Sequence, residues 1–257
     1  MKSESKKDDL LAVIEDEMDI YSHQQHVDTD WRSPLLAAAS ADDELFSQLE
    51  EAVSPKHMMP EDLLEGARTV LCYFLPFAPR IPASSAAGPR PSQAWAAAYR
   101  ETNELIGRIN RRLQSEIAGR GGRADFAAAT GNFSREELVS YWSHKHAGYI
   151  AGLGTLGRHS MLITPSGCAG RIGSIVTDLE LEPDKRPGQE YCLDRAGQEC
   201  CSCVDSCDFA ALSSEGLDRE SCYQTCLDNA DYFGSQSLEI CGKCAVDVPC
   251  TLNNPVD

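Results

Sequence analysis

The chain has 257 residues, 42% hydrophobic and 25% charged, an ordinary globular composition with room for one medium domain and a small one. Its 40 acidic against 23 basic residues leave a formal charge of −17, a surface that repels phosphate backbones and counts against a nucleic-acid substrate. No uncharged apolar run approaches about 18 residues, and the opening MKSESKKDDLLAVIEDE lacks a continuous apolar stretch, so no membrane span or secretory signal is expected and the expected location is the cytoplasm.

In chain order, the first 55 residues read as helical and partly loose, with Leu10, Leu11, Val13, Ile14 and Met18 at helical spacing. Asp42 and Asp43 open a second short helix carrying Leu45, Phe46 and Leu49, and a third follows Pro60, where Glu61 and Asp62 complement the helix dipole. Thr69 to Leu75 is a buried strand ended by Pro76, and Ile81 to Pro91 is a loop. A long amphipathic helix spans Ser92 to Ala118, with Leu105, Ile106, Ile109 and Leu113 on one face. Arg123 to Thr130 is a weak strand. Ser134 with Glu137 three residues on reads as a capping box, opening a helix to about Tyr149. Ser160 to Thr164 and Arg171 to Thr177 are two further strands joined by a glycine-rich turn. Alternating helix and strand predict an α/β (α+β) layered core, residues 69–185, after a helical segment of residues 1–68.

Between these elements lies Gly152-Leu153-Gly154-Thr155-Leu156-Gly157, which matches the G-x-G-x-x-G dinucleotide fingerprint. That fingerprint follows a strand and opens a helix; here a helix precedes and a strand follows, so nicotinamide binding is not expected. The glycines are read instead as permitting tight turns and close approach to a bulky ligand.

Ten of the twelve cysteines fall in the last 66 residues, and −11 of the −17 charge lies between Leu179 and Asp257 (16 acidic, 5 basic). The pattern is Cys200-x2-Cys203-x3-Cys207, then Cys222, then Cys241-x2-Cys244-x5-Cys250, with Cys192, Cys201 and Cys226 beside it. Disulfides are rare in the cytosol. Zinc would use two C-x2-C knuckles but leaves the C-x2-C-x3-C run and the number of thiols unexplained. Two 4Fe–4S clusters need eight thiolates, and in two-cluster ferredoxins the last cysteine of each run serves the other run's cluster. Residues 186–257 are therefore expected to form one compact metal-held unit.

The stretch AGLGTLGRHSMLITPSGCAGRIGSIVTD (Ala151 to Asp178), followed by these cysteine runs, resembles the epoxyqueuosine reductase family, whose plan the catalytic domains of reductive dehalogenases share. The resemblance covers roughly residues 69–250. It implies a nitroreductase-like corrinoid-binding domain followed by a small ferredoxin-like domain, an iron–sulfur and cobalamin-dependent oxidoreductase whose two 4Fe–4S clusters pass electrons to a base-off corrinoid. It implies Cys200, Cys203 and Cys250 as ligands of the cluster nearer the cobalamin. The family's remaining cysteine is replaced by Gly197, so Cys192 or Cys201 must substitute, and Cys192 is favoured. Cys207, Cys222, Cys241 and Cys244 would hold the second cluster, with Cys226 spare. The corrinoid would rest against Gly152, Gly154, Gly157, Arg158, His159, Leu162, Ile172 and Gly173.

Two departures bear on function. The last run is C-x2-C-x5-C without a following proline, and Asp208 stands where the first run has proline. The family's general acid corresponds to Leu138, beside Glu136 and Glu137, and a leucine cannot protonate a leaving oxygen. The helical-repeat tRNA-binding extension of many members does not follow, so a tRNA substrate is not expected. Expected partners are a corrinoid, a ferredoxin- or flavodoxin-type electron donor, and a small-molecule substrate or a corrinoid protein. The alternatives are an accessory protein that carries or reduces a corrinoid, and a simple ferredoxin-like carrier. His144, His146, Tyr141, Tyr149 and Cys168 are weaker candidates for the site, and Cys72 reads as a buried small hydrophobe.

Overall fold

The computed structural model describes residues 2–236 and 238–256. It opens with helix α1 (Lys2–Ser22) and strand β1 (Leu35–Ser40), followed by the short helices α2 (Glu44–Ser47), α3 (Leu49–Ala52) and α4 (Pro60–Leu63). Strand β2 (Thr69–Pro76), helix α5 (Arg80–Ser84), helix α6 (Gln93–Gly119) and strand β3 (Ala124–Asp125) come next. A small hairpin of β4 (Phe133–Ser134) and β5 (Val139–Ser140) precedes helix α7 (His144–Ile150). Strands β6 (Thr155–Leu156), β7 (Leu162–Ile163) and β8 (Gly170–Thr177) lead into the cysteine-rich part, with helices α8 (Ser202–Asp205) and α9 (Arg219–Phe233).

The main sheet has the order β1-β2-β8-β3, with every neighbouring pair antiparallel. Every residue of β2 is buried, because both faces of the sheet are covered. Leu71, Tyr73, Leu75 and Ile175 pack against Leu10 and Ile14 of α1 and Leu105, Ile106, Ile109 and Leu113 of α6. On the other face Val70, Cys72, Phe74 and Val176 meet Trp142 and the α7 residues Ala147 and Ile150. The long helix begins where the sequence placed it: the Ser92 hydroxyl accepts from the Trp95 amide. Asp43 likewise caps α2, accepting from the Leu45 amide.

Three expectations are corrected. The first 55 residues are not only helix and loose chain, since Leu35–Ser40 is an edge strand in register with Thr69–Phe74. Its sequence, LLAAAS, carries strong helix formers and no β-branched residue, so pairing with the fully buried β2 overrides local propensity. Arg80–Ser84 forms one short helix that takes up the start of the expected loop. Ser134 does not open a helix: its hydroxyl accepts from the Glu137 amide, but the chain folds into a hairpin pairing Phe133 with Ser140 and Ser134 with Val139. Asn132 closes that hairpin, donating to the Trp142 carbonyl and accepting from the Trp142 amide. The cost is a left-handed backbone at Leu138, φ 52°.

Arg32 stitches the cysteine-rich tail to the sheet. Its guanidinium donates to the carbonyls of Phe77 (3.0 Å), Leu252 (3.0 Å) and Ser166 (2.6 Å). The Cys168 and Ala169 amides donate to the carbonyls of Cys250 and Thr251, returning the end of the chain to the entrance of β8. A separate apolar cluster of Phe77, Ile81, Trp95, Ala169, Ile240 and Val246 fills the seam. Gly242 (φ 80°) lies against Trp95 so closely that a Cβ would come within 2.5 Å of the indole, and glycine alone permits that seat.

Candidate functional site

All twelve cysteines are free thiols, and the fold gathers most of them into two groups. Cys192, Cys200, Cys203 and Cys250 surround one small pocket with Val248 and Pro249. Cys207, Cys222, Cys226, Cys241 and Cys244 line a second, larger cavity. Cys222 and Cys226 share one face of α9, four residues apart. The last cysteine of each run therefore stands in the other run's group. The groups adjoin, because Cys203, Cys207, Cys244 and Cys250 pack around the same Leu212 and Val248. Cys201 belongs to neither group; it is exposed and its thiol donates to the Asp205 carboxylate at 3.0 Å.

Crowding shows in the thiols' acidities. Burial, then the neighbouring Cys250, Cys192 and Cys200 sulfurs, push the Cys203 thiol up to about 11. Burial likewise raises Cys241 and Cys244. The bond from Cys226 holds Cys222 down to about 7, and Cys226 is raised in turn. Soft thiolates collected four or five at a time, with no disulfide among them, are the donor set that iron–sulfur clusters need.

The larger cavity, about 470 Å3, opens at one end of the main sheet and falls in the size range of small-molecule sites. Its walls come from Phe74 and Phe77, from Gly170, Arg171 and Ile172 of β8, from Trp95 and Tyr99 of α6, and from His144 and Lys145 of α7. The Cys207–Cys244 group completes the lining.

Of the residues expected to touch a corrinoid, His159, Leu162 and Ile172 line this cavity. Gly152, Gly154, Gly157, Gly173 and Arg158 are not among its lining residues. A Cβ on Gly154 would lie 1.9 Å from the Ile163 carbonyl oxygen, one on Gly152 2.8 Å from the Lys185 carbonyl, one on Gly157 2.6 Å from the His159 ring, and one on Gly173 2.2 Å from the Tyr73 ring. The chain's own packing thus accounts for the four glycines without a ligand. Arg158 pairs with Asp194 at 2.7 Å and donates to the Ser214 carbonyl.

His144 has a fixed tautomer. The Trp142 indole N–H donates to the Ser174 hydroxyl (2.9 Å), that hydroxyl donates to His144 Nδ1 (2.8 Å), and His144 Nε2–H donates to the Ala128 carbonyl (3.2 Å). Burial holds its pKa down to about 4, so the ring is neutral at pH 7. His146 is held down to about 4 by burial and Lys145, and bonds the Ser143 hydroxyl. Cys168 lines the cavity 4.0 Å from the Cys250 sulfur, and His159 Nε2 is 3.4 Å from that same sulfur. Glu136, Glu137 and Leu138 line a depression on the outside of the protein with the start of α9, and Glu137 pairs with Lys56 at 2.8 Å. Being on a hairpin rather than a helix does not bring either glutamate into the cavity wall.

Sequence reasoning did not single out Arg171, Tyr99, Lys145 or Lys243, all of which line the cavity. One signal was available for Arg171: an arginine in a strand otherwise reading GRIGSIVT.

No family model matches the chain. It is 27% identical over 169 residues to an epoxyqueuosine reductase of Leadbetterella byssophila, covering 65% of this chain and 50% of that protein. The chain is similar in sequence to epoxyqueuosine reductases. It is also 42% identical over 69 residues to a tetrachloroethene reductive dehalogenase of Desulfitobacterium hafniense, a stretch that is 25% of this chain and 12% of that protein. Among solved structures, epoxyqueuosine reductase from Streptococcus thermophilus superposes with a TM-score of 0.55 at 16% identity, over 95% of this chain and 68% of that one. A catabolic reductive dehalogenase superposes with a TM-score of 0.57 at 17% identity, over 86% and 30%. The mixed α/β fold of this chain is shared with both groups. It spans half the length of the first of these curated relatives. Among the described residues no helix is long and apolar enough to cross a membrane.

Proposed function

We propose that this chain is a cytoplasmic iron–sulfur and corrinoid-dependent oxidoreductase, built as a nitroreductase-like domain carrying a ferredoxin-like two-cluster unit. Cys192, Cys200, Cys203 and Cys250 would hold one 4Fe–4S cluster, and Cys207, Cys222, Cys241 and Cys244 the other, with Cys226 in reserve. The observation that carries the reading is the shared cavity, lined by the second thiol group and by the end of the main sheet with His159, Leu162 and Ile172. A base-off corrinoid held there would supply a cobalt centre able to take electrons one at a time and deliver them to a small substrate.

The chain's own residues set the conditions for that chemistry. Phe74, Phe77, Trp95 and Leu162 keep the cavity apolar and limit water. The Trp142–Ser174–His144 chain fixes a neutral imidazole at the wall, with its one proton committed to the Ala128 carbonyl. Electrons would reach the thiol groups from a ferredoxin- or flavodoxin-type donor. With a surface carrying −17, tRNA is not the proposed substrate.

A second reading, a protein that carries or reduces a corrinoid for a partner corrinoid protein, is favoured by one observation. Leu138 and its flanking glutamates line an outer depression, so that hairpin brings no carboxylic acid to the cavity wall. Reducing a metal centre needs no protonated leaving group. Anaerobic titration of the iron-loaded protein with hydroxocobalamin, read by absorbance and EPR, tests both readings. About one base-off cobalt signal per chain is expected; intact clusters that retain no corrinoid would remove both readings and leave an electron carrier. Turnover of small substrates then separates the enzyme from the accessory protein.

A further inference from the structure

Arg171 is a cation with no carboxylate paired to it among the described residues. It enters the cavity from the second position of β8, on the α6 side of the sheet, where its guanidinium lies over the Tyr99 ring at 4.3 Å to the centroid. Its Nε is fully buried and has no hydrogen-bond acceptor among the described residues. No carboxylate forms an ion pair with it among the described residues, although the chain has 17 more acidic than basic side chains (40 against 23). Burial accordingly pushes the guanidinium below its ordinary value.

The rest of the wall does not supply the missing anion. Glu239 also lines the cavity, but its carboxylate accepts from Arg135 at 2.7 Å and from the Tyr223 hydroxyl at 3.3 Å. His144, beside Arg171, is neutral and has both ring nitrogens bonded. Lys145 is a second cation on the same wall, and its ammonium donates to the Ser160 carbonyl at 2.8 Å. A half-buried guanidinium whose Nε lacks an acceptor is costly unless something completes it, and its planar fork matches a carboxylate or phosphate. Tyr99 holds the guanidinium through its ring and its hydroxyl, and the Nε stays without an acceptor among the described residues.

We propose that Arg171, held by Tyr99, is the anchor of an oxyanion subsite in this cavity, and that the ligand bound there carries a carboxylate or a phosphate. Two sources fit: the carboxylate of a small organic substrate, and the phosphate in the nucleotide loop of a corrinoid. The second source rests on the corrinoid reading above; the first does not.

The test uses the full iron-loaded chain. Benzoate and its neutral counterpart benzamide are titrated calorimetrically, and cobalamin and cobinamide, which lacks the nucleotide phosphate, are titrated by absorbance. Each is repeated with Arg171→Met and Arg171→Lys. Loss of one charge-assisted anchor predicts weakening of about tenfold or more. Benzoate binding that exceeds benzamide binding in the wild type, falls in Arg171→Met and partly returns in Arg171→Lys supports the subsite with a substrate carboxylate. Weakened cobalamin with unchanged cobinamide in Arg171→Met supports it with the corrinoid phosphate. If corrinoids do not bind but benzoate discrimination persists, the corrinoid reading fails and the subsite stands. Equal benzoate and benzamide affinity, together with no difference between cobalamin and cobinamide, overturns the proposal in the wild type alone, whether or not the variants fold.

Discussion

His159 Nε2 lies 3.4 Å from the thiol sulfur of Cys250, joining the glycine-rich block to the last cysteine of the chain. The other ring nitrogen, Nδ1, accepts from the Met161 amide at 3.1 Å, which leaves the proton on Nε2 and directs it at sulfur. Cys168 bonds the same sulfur, and these contacts, Cys168 first, bring Cys250 down to about 5. Donors to cluster sulfur raise a cluster's reduction potential. His159→Ala is expected to keep the full iron content while lowering the potential of one cluster in an EPR-monitored redox titration. An unchanged potential would show that the contact has no electronic consequence.

The two thiol groups make a direct prediction about iron. Cys192→Ser removes a member of the Cys192–Cys200–Cys203–Cys250 group and is expected to lose about four irons per chain, one cubane's complement. Cys201→Ser, at an exposed thiol bonded to Asp205, is expected to lose none. The opposite pattern would exchange their roles.

Gly154 and Gly107 are expected to respond to alanine in opposite directions. At Gly154 the new methyl would stand 1.9 Å from the Ile163 carbonyl oxygen, and the backbone must move, at a cost of about 3 kcal/mol or more. At Gly107, inside α6, the nearest atoms are 3.7 Å away on the flexible Arg111 side chain, and alanine gains about 0.5–1 kcal/mol through helix propensity. Thermal unfolding of the two variants measures both.

Lys243 is 5% exposed, and its ammonium donates to the carbonyls of Ser85 (2.8 Å), Ala86 (3.1 Å) and Gly88 (2.7 Å). It straps the loop after α5 onto the Cys241–Cys244 knuckle. Lys243→Met leaves those carbonyls without their donor and is expected to cost about 2–3 kcal/mol. Faster proteolytic cleavage between residues 85 and 91 would accompany the loss; an unchanged cleavage rate would mean the strap does not hold the loop.

Stability should fall in mild acid. Burial holds the His144 and His146 rings down to about 4, below the ordinary value of 6.5. Between about pH 6.5 and 4 the unfolded chain therefore binds protons that the folded chain does not. Folding free energy is lost as pH falls through that window and is fully present above it, by an amount on the order of a few kcal/mol. Urea midpoints at pH 7 and pH 5 measure the slope, which His146→Gln should flatten. A difference between wild type and His146→Gln that is the same at both pH values would show that His146 does not titrate on unfolding.

The sequence by itself determined what short-range patterns encode. The apolar stripe from Leu105 to Leu113 and the Ser92 cap set the long helix, and the uninterrupted run from Thr69 to Leu75 set the central strand. Cysteine spacing announced which thiols could share a ligand set, because such spacing is written over a few residues. Only the tertiary structure decided what depends on distant partners. Leu35–Ser40 is a strand because β2 offers it an edge, against its own helical preference. Residues 133–140 form a hairpin because Asn132 reaches Trp142, although Ser134 and Glu137 spell a helix start. The glycine block looked like a ligand cradle and proved to be packed against Lys185, Ile163 and Tyr73, atoms that no local reading could place beside it. The lone charge of Arg171 is the same case: whether an arginine has a partner is a property of every chain segment that folds around it, and here none brings a carboxylate among the described residues.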